Sequence, residues 1–563
     1  MSWFFGYTGN YNGKVENSLK LLNPGSYRTH SGEGIKILFS RSGKNLLSNF
    51  SDNTGMIICG ILLTNDEHCT PDFINNLLHK KAYDGHYAGI SFTGSSTTLF
   101  NDGLGLRDIY YIQTEGNTVF STRQDFITRL IEMPEINVDE FSSLWVLPHK
   151  ISWGSLIKGI KRLGPGGYLT IEKGEHSFKR NAWNPDRYTA TPEDFRDALE
   201  KAALFPAGKN NKINLGLSGG IDSRVLLQIL CSSDYSDWTT HTFGHKAMPD
   251  AELSERITSE LKIKHYFLEQ KSLTAFDILN NKLYPQLELS SPIAGMINYS
   301  FFKYLDETGY TIIDGGNGEI FRRAFLNRFL LTAKDTLMNK DIEGIYNHLK
   351  REKADIFSEA FNTELKGKAC SAIADFMDEM KSPGETGAEL WADLFFIKTK
   401  AAAISGPSQA ILDDIAVSYM PFVQASVMNS GFALNPDERN NGRLFMKLIT
   451  SGKANLKKFP LVKDNIYYPF TTSLFLSRVI QKAKRKLGYV YNDNSKINAI
   501  LLLEEFAKDR LNSQDVKSFA MYDYSKLNRL VTGFYDDKRT ELFSQVDWWL
   551  SFEIWRERLG NKL

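Results

Sequence analysis

The sequence predicts an α+β first domain rich in short strands, then an α/β domain on a parallel sheet, then a mainly helical part. Three observations carry that prediction. Short apolar runs broken by Gly, Asn, Ser and Asp fill the first third. Strand-like and helix-like segments alternate through the middle. Beyond it, apolar residues recur at helical spacing on broad faces.

In the first part, residues 35–39, 56–63, 86–92, 108–113 and 118–120 read as strands, and 71–81 as a helix. Pro165-Gly166-Gly167 is a turn, and 168–171 leaves it as a strand. Asn184-Pro185-Asp186 marks a boundary. A helix then opens with Thr191 as cap, Pro192 at the first helical position and Asp194 completing a capping-box-like arrangement. Strands are expected at 213–217, 239–243, 266–268 and 311–313, with helices at 224–231 and 251–261 between them. Residues 497–506 and 546–555 read as helices in the last part. The domains are therefore 1–185, 190–325 and 326–563.

Composition bounds the function. A chain of 563 residues exceeds one core. With 67 basic and 66 acidic residues, the net charge of +1 gives no electrostatic footprint for nucleic acid. Cys59, Cys69, Cys231 and Cys370 form no CxxC pair, which argues against a disulfide framework or zinc site and makes a reducing cytoplasm the default. The N-terminus does not read as a signal peptide, and the longest apolar run, 56–63, is too short to span a bilayer. The basic stretch 478–486 reads first as an exposed helix face and second as a basic amphipathic helix able to touch an anionic membrane.

The chemistry concentrates in Leu215-Gly216-Leu217-Ser218-Gly219-Gly220-Ile221-Asp222-Ser223, where a strand gives way to a helix. Unpaired backbone N–H groups and the helix dipole favour an anion there. Gly219 and Gly220 let the backbone approach a phosphate, and Ser218 and Ser223 add hydroxyls. Asp222 beside phosphates needs a cation, which makes it a candidate Mg²⁺ ligand. Three readings compete. A tight structural turn explains the glycines alone. Gly216 to Gly220 also fits the G-x-S-x-G pattern of serine hydrolases, with His241, His245, His265 and His348 downstream. The full hexapeptide Ser218 to Ser223 matches SGGxDS, the pyrophosphate loop of ATP pyrophosphatases. No Lys follows the glycines, so it is not a Walker A loop.

With that hexapeptide the chain resembles the asparagine synthetase family. Residues 101–111, 159–168, Thr242-Phe243-Gly244 with Asp250 and Glu252, and Pro421-Phe422-Val423-Gln424 look similar to family segments in the same order, up to about residue 460. The resemblance implies an N-terminal-nucleophile-like domain, then an adenine nucleotide alpha hydrolase-like ATP pyrophosphatase domain with a helical continuation that shapes an acceptor pocket. It implies ATP and Mg²⁺, a small-molecule or peptide carboxylate activated as an acyl-adenylate, and ammonia or an amine as acceptor. A homodimer is among the assemblies it allows. Leu217, Ser218, Gly219, Gly220, Asp222, Ser223, Phe243, Gly244, Asp314 and Gly315 would hold the nucleotide. Asp222 and Glu319 would hold the metal, and Lys457, Lys458 or Lys463 would stabilise the departing pyrophosphate.

Three departures sharpen this expectation. The family's glutaminase nucleophile is an N-terminal cysteine, whereas this sequence has Ser2 followed by Trp3. A serine hydroxyl is a poorer nucleophile than a thiol unless a base activates it, as the amine of an N-terminal serine can. The stretch 60–66 lacks the family's N-G-E sequence. The first domain is therefore expected to keep the fold without glutamine hydrolysis. The loop Asp314 to Arg323 is one residue shorter than the family's S-G-E-G-x-D-E loop, which argues against free aspartate as substrate. Arg322 and Arg323 suit a phosphate or carboxylate. Relatives without the cysteine amidate sugar carboxylates, form β-lactams or cyclise lasso peptides. Sugar amidation is the first expectation and lasso-peptide cyclisation the second, with a non-catalytic scaffold as the rival from another class.

Overall fold

The computed structural model describes residues 2–9, 27–32, 34–41, 45–50, 54–64, 83–94, 96–114, 116–185, 189–209, 211–269, 273–280, 288–306, 309–472, 474–488 and 490–560. The helix expected at 71–81 lies outside them, as do Asn65, Asp66 and Cys69.

The first part is two six-stranded antiparallel sheets. Strands β1 (Phe4–Thr8), β2 (Tyr27–Gly32), β3 (Ile35–Ser40), β8 (Tyr110–Thr114), β9 (Asn117–Ser121) and β10 (Lys161–Arg162) form one, in the order β10-β8-β9-β1-β3-β2. Strands β4 (Leu46–Phe50), β5 (Thr54–Leu62), β6 (Gly85–Thr93), β7 (Ser96–Asn101), β11 (Gly167–Glu172) and β12 (Glu175–Arg180) form the other, in the order β12-β11-β7-β6-β5-β4. The two-residue period sorts the side chains. Ile57 and Cys59 of β5 join Phe4, Ile35 and Ile37 between the sheets, while Met56 and Ile58 face the opposite side. Trp3, Phe5 and Leu38 point away from the inter-sheet core and pack in one cluster with Phe141, Trp145, Phe357 and Trp549. The last part of the chain therefore completes the core beneath the first.

The helices that matter below are α1 (Val138–Val146), α2 (Pro192–Gly208), α3 (Ile221–Ser232), α4 (Pro249–Leu261), α5 (Ala388–Lys400), α6 (Gly406–Ile415) and α7 (Phe543–Gly560). Thr191 caps α2 as the sequence predicts: its hydroxyl accepts from the Asp194 amide and the Asp194 carboxylate accepts from the Thr191 amide.

The third sheet is wholly parallel. Strands β13 (Ile213–Gly216), β14 (Trp238–Gly244), β15 (His265–Glu269), β16 (Thr311–Ile313) and β17 (Ser418–Tyr419) run in the order β15-β14-β13-β16-β17. Ile213 pairs with Trp238 on one side and Thr311 on the other. The chain builds outward from β13 through β14 to β15, then returns to the other side for β16 and β17. The order reverses between β13 and β16, and the crevice beyond the carboxyl ends of two such strands is where open α/β sheets bind ligands. The fifth strand comes from residues 418–419, so this sheet draws on chain beyond 325.

Several expected elements shift by a few residues at their ends, and two differences have a cause in the structure. The strand predicted from 108 starts at Tyr110, because the Asp108 carboxylate accepts from the amides of Ile109 and Gly164 and so makes a turn. The helix predicted over 497–506 is two helices, Ser495–Leu501 and Glu504–Asn512, and the break turns Leu503 into the core while Leu502 stays exposed.

Candidate functional site

The hexapeptide Ser218 to Ser223 leaves the end of β13 and starts α3, so it lies at the point where the strand order reverses. The loop 314–319 leaves the end of β16 beside it. The two loops meet at backbone distance. A Cβ on Gly315 would come within 2.8 Å of the Ser223 amide nitrogen, and one on Gly318 within 2.9 Å of Asp222 Cβ. Glycine is required there by proximity.

Two hydroxyls hold the first loop's shape. Ser218 Oγ and Ser223 Oγ are 3.1 Å apart, Ser223 Oγ accepts from the Ser218 amide at 3.1 Å, and Ser218 Oγ accepts from the Gly220 amide at 3.3 Å. Among the described residues no imidazole hydrogen-bonds Ser218, so the serine-hydrolase arrangement is not assembled. His241 instead meets Asn214, and burial pushes its pKa down to about 3. The Leu217 carbonyl accepts from Thr242 Oγ1 at 2.6 Å and Ser254 Oγ at 3.3 Å, which ties the loop to β14 and α4.

Three carboxylates, Asp250, Asp314 and Glu319, stand by the loop, and a fourth, Asp222, belongs to it. Asp250, near the start of α4, accepts from the Gly219 amide at 2.6 Å, and Asp314 accepts from the Gly316 amide at 2.6 Å. Burial raises the pKa of both. Asp222 is gripped by Arg322, with Nη2 donating to Oδ2 at 2.7 Å. Burial raises its pKa, opposed by the charges of Arg322 and Lys400. Glu319 forms an ion pair with Lys400. Burial lowers the Lys400 pKa to about 8, with Asp222 pulling the other way.

Of the three expected lysines, Lys463 comes nearest through the backbone: the Val462 amide donates to the Gly219 carbonyl at 2.9 Å, and Lys463 follows in the short strand β18 (Leu461–Lys463). Arg224 of α3 fixes that segment by donating to the carbonyls of Phe459 at 3.0 Å and Pro460 at 2.7 Å. Lys457 and Lys458 lie in the preceding turn, and Lys458 pairs with Glu260 at the end of α4. Phe243 and Gly244 end β14; Phe243 stacks on Phe301 with centroids 5.2 Å apart.

The expectation that Arg322 and Arg323 share a role is corrected. Arg322 reaches Asp222, whereas Arg323 is fully buried and bonds Asp393 at 2.9 Å, Glu389 at 3.1 Å and Asn440 at 2.7 Å. Its left-handed backbone, φ 52°, turns it away from its neighbour's partner. Lys400 went unpredicted. It lies 178 residues after Asp222, in a helix with no glycine or serine punctuation to single it out.

The residues suit a Mg²⁺ ion brought in with phosphates. Asp222 Oδ1 accepts no aligned hydrogen bond but is ion-paired with Arg322 Nε at 2.7 Å, so a metal would take this oxygen from Arg322. Among the described residues no group of three or more His, Cys, Asp or Glu is placed to hold a metal alone. Mg²⁺ commonly uses one or two carboxylates and completes its shell with phosphate and water.

In the first domain, Ser2 is 1% exposed and its hydroxyl has no hydrogen-bond partner. Its amide donates to Asp414 at 3.1 Å and its carbonyl accepts from Arg107 at 2.9 Å. The helix α6 thus covers it. Cys59 is buried, and burial pushes its thiol up to about 12. No helix among the described residues is long and apolar enough to cross a membrane.

No family model matches the chain, and no curated protein is significantly similar to it. Solved structures give partial likenesses. One is an allosteric regulatory enzyme of purine biosynthesis (12% identity, TM-score 0.22), where the match covers 38% of this chain and 60% of that one. A second is glutamine phosphoribosylpyrophosphate amidotransferase from B. subtilis complexed with ADP and GMP (10% identity, TM-score 0.22), covering 56% and 81%. A third is the U34-tRNA thiolase NcsA from Methanococcus maripaludis with its [4Fe-4S] cluster (13% identity, TM-score 0.16), covering 33% and 79%. At these TM-scores none of the three decides the fold; strand order and loop geometry do.

Proposed function

We propose that the chain is an ATP-dependent, AMP-forming ligase that adenylates a substrate carboxylate for attack by ammonia or an amine. The observation that carries this is the SGGIDS loop, at the carboxyl end of β13 where the strand order reverses, with the acidic loop after β16 against it. The first-turn amides of α3 would take the β- and γ-phosphates, with the Gly219 amide joining them once Asp250 releases it. Asp222 and Glu319 would hold Mg²⁺, which neutralises phosphate charge. Arg322 and Lys400 would then turn from these carboxylates to the phosphates, and Lys463 would sit close by. The substrate carboxylate attacks the α-phosphorus, pyrophosphate leaves, and the amine displaces AMP. The chain's share is positioning and charge stabilisation. Burial of Ser2 beneath α6 supports an external nitrogen source over glutamine hydrolysis. A sugar carboxylate of polysaccharide synthesis is the substrate class proposed first, and a lasso-peptide precursor second.

One observation favours a non-catalytic scaffold: Asp222 and Glu319 already have cations of their own, and Asp250 holds the Gly219 amide. The test separates them. The protein and Asp222→Ala would be given Mg²⁺, ATP, ammonium and a pool of carboxylates. AMP and pyrophosphate from the unaltered protein alone, dependent on the carboxylates, is the ligase outcome. Absence of both AMP and ATP binding would leave the scaffold.

A further inference from the structure

We infer that the first domain acts as a positioning scaffold for Lys400, by gripping both ends of the helix that follows it. The inference rests on the ATP reading for the purpose of Lys400; the geometry stands apart from it.

Lys400 is the last residue of α5, and the chain then widens into a π-helical turn, Ala401–Ser405, before α6 begins at Gly406. Such wide turns in helices occur often at functional sites. This one touches both domains. On the site side, Lys400 pairs with Glu319, and the Ser405 hydroxyl and Asn317 side chain exchange hydrogen bonds at 3.1 Å. On the opposite side it rests on the 105–107 loop of the first domain. A Cβ on Gly406 would lie 2.6 Å from the Gly105 carbonyl oxygen, and one on Gly105, whose φ is +69°, would lie 3.3 Å from Ala402 Cβ. The backbones meet with no room between them.

The far end of α6 is locked by buried charge. Asp413 lies 2.9 Å from His86 Nε2 and 3.3 Å from Arg107 Nε, and all three side chains are buried. Arg107 also donates to the Ala410 carbonyl at 3.2 Å, Asn45 donates to the Ala416 carbonyl at 3.1 Å, and the Ser2 amide donates to Asp414. The first domain thus supplies Ser2, Asn45, His86, Gly105 and Arg107 to one helix of the last part. A packed helix held at both ends moves as a body, so a shift at Asp413 reaches the turn that presents Lys400. Arg107, His86 and Asp413 are positioning residues; none reaches the loop at Ser218.

The test reads the Lys400 amine directly. Isotope-coded reductive methylation, resolved by residue in a mass spectrometer, would compare the full-length protein with Gly406→Ala, which wedges the turn off Gly105, and Asp413→Asn, which unlocks the far end. Lys353, which is buried and donates to the Leu147 and Pro148 carbonyls, is the internal control. Lys400 labelling is expected to rise about tenfold in both variants, with Lys353 unchanged, as coupled residues of one network respond. Arg107→Lys keeps a cation opposite Asp413 and is expected to give a smaller rise; it decides the matter if the other two do not fold. Unchanged Lys400 labelling in the folded variants would overturn the inference, as would an equal rise at Lys353. ATP binding, measured separately on the unaltered protein, tells failure of the ligase reading from failure of this one.

Discussion

Arg322 donates from Nη2 to Oδ2 of Asp222 at 2.7 Å, and its Nε stands 2.7 Å from Oδ1. The acidic residue of the 218–223 loop thus meets a cation of its own chain. Both side chains are about one-fifth exposed, at 19%. A pair so placed, four-fifths buried with Asp222 Oδ1 and Arg322 Nε shielded from water, stands between an exposed ion pair and a fully buried one.

Arg322→Ala should therefore lower the urea midpoint, by less than loss of a fully buried pair would, while weakening Mg²⁺-ATP binding by about tenfold, because a charge-assisted contact to phosphate is lost. Titration calorimetry with a non-hydrolysable ATP analogue checks this. Arg322→Lys should recover little, since an ammonium cannot reproduce the planar fork. Full binding by Arg322→Ala would remove Arg322 from the proposed phosphate site.

Arg323 should weigh more heavily on stability. It is fully buried against Asp393, which also meets Arg439 at 2.8 Å. Arg323→Ala leaves part of that network uncompensated and should cost ~3–5 kcal/mol in urea unfolding. An unfolding free energy equal to that of the unaltered protein would show that Asp393 and Arg439 suffice as a pair.

The contrast explains what could be read in the sequence. The strand–loop–helix at Ser218 was legible because its signal is local: adjacent glycines, flanking hydroxyls and apolar runs on either side. Most of the parallel sheet was legible for the same reason. The two-residue strand β17 was not, because it is defined by pairing with β16 rather than by pattern. Edge strand β12 has six exposed residues and no alternation to find. Arg322 and Arg323 are adjacent and identical in type, and only the backbone turn at Arg323 separates a loop cation from a core one. Lys400 was hidden because its site is made by a helix distant in sequence.

Gly219 offers a test of loop packing. A Cβ there would lie 2.5 Å from Val462 Cβ, so Gly219→Ala must push β18 away from the loop. Overpacking of this kind costs ~1–3 kcal/mol. Calorimetric melting should register that loss, and Lys463 should become more reactive to amine reagents as its strand lifts. Unaltered melting and labelling together would mean that the loop relaxes around the methyl group without moving β18.

Asp547 gives a stability signature far from the loop. It lies in α7, is 3% exposed, and accepts from the Ala294 amide at 3.1 Å. Burial pushes its carboxyl up to about 7, against the amide bonds and the charge of Lys496. The folded chain therefore holds this proton up to about pH 7, whereas the unfolded chain releases it near pH 4. Across that window the folded state binds more protons, so this group's contribution falls as pH rises and levels off above 7. Three pKa units set an upper bound of ~4 kcal/mol. Asp547→Asn keeps a carbonyl acceptor for Ala294 and cannot ionise. It should raise the melting temperature at pH 8 and leave it nearly unchanged at pH 4. An equal shift at both pH values would mean that packing, and not ionisation, sets the effect.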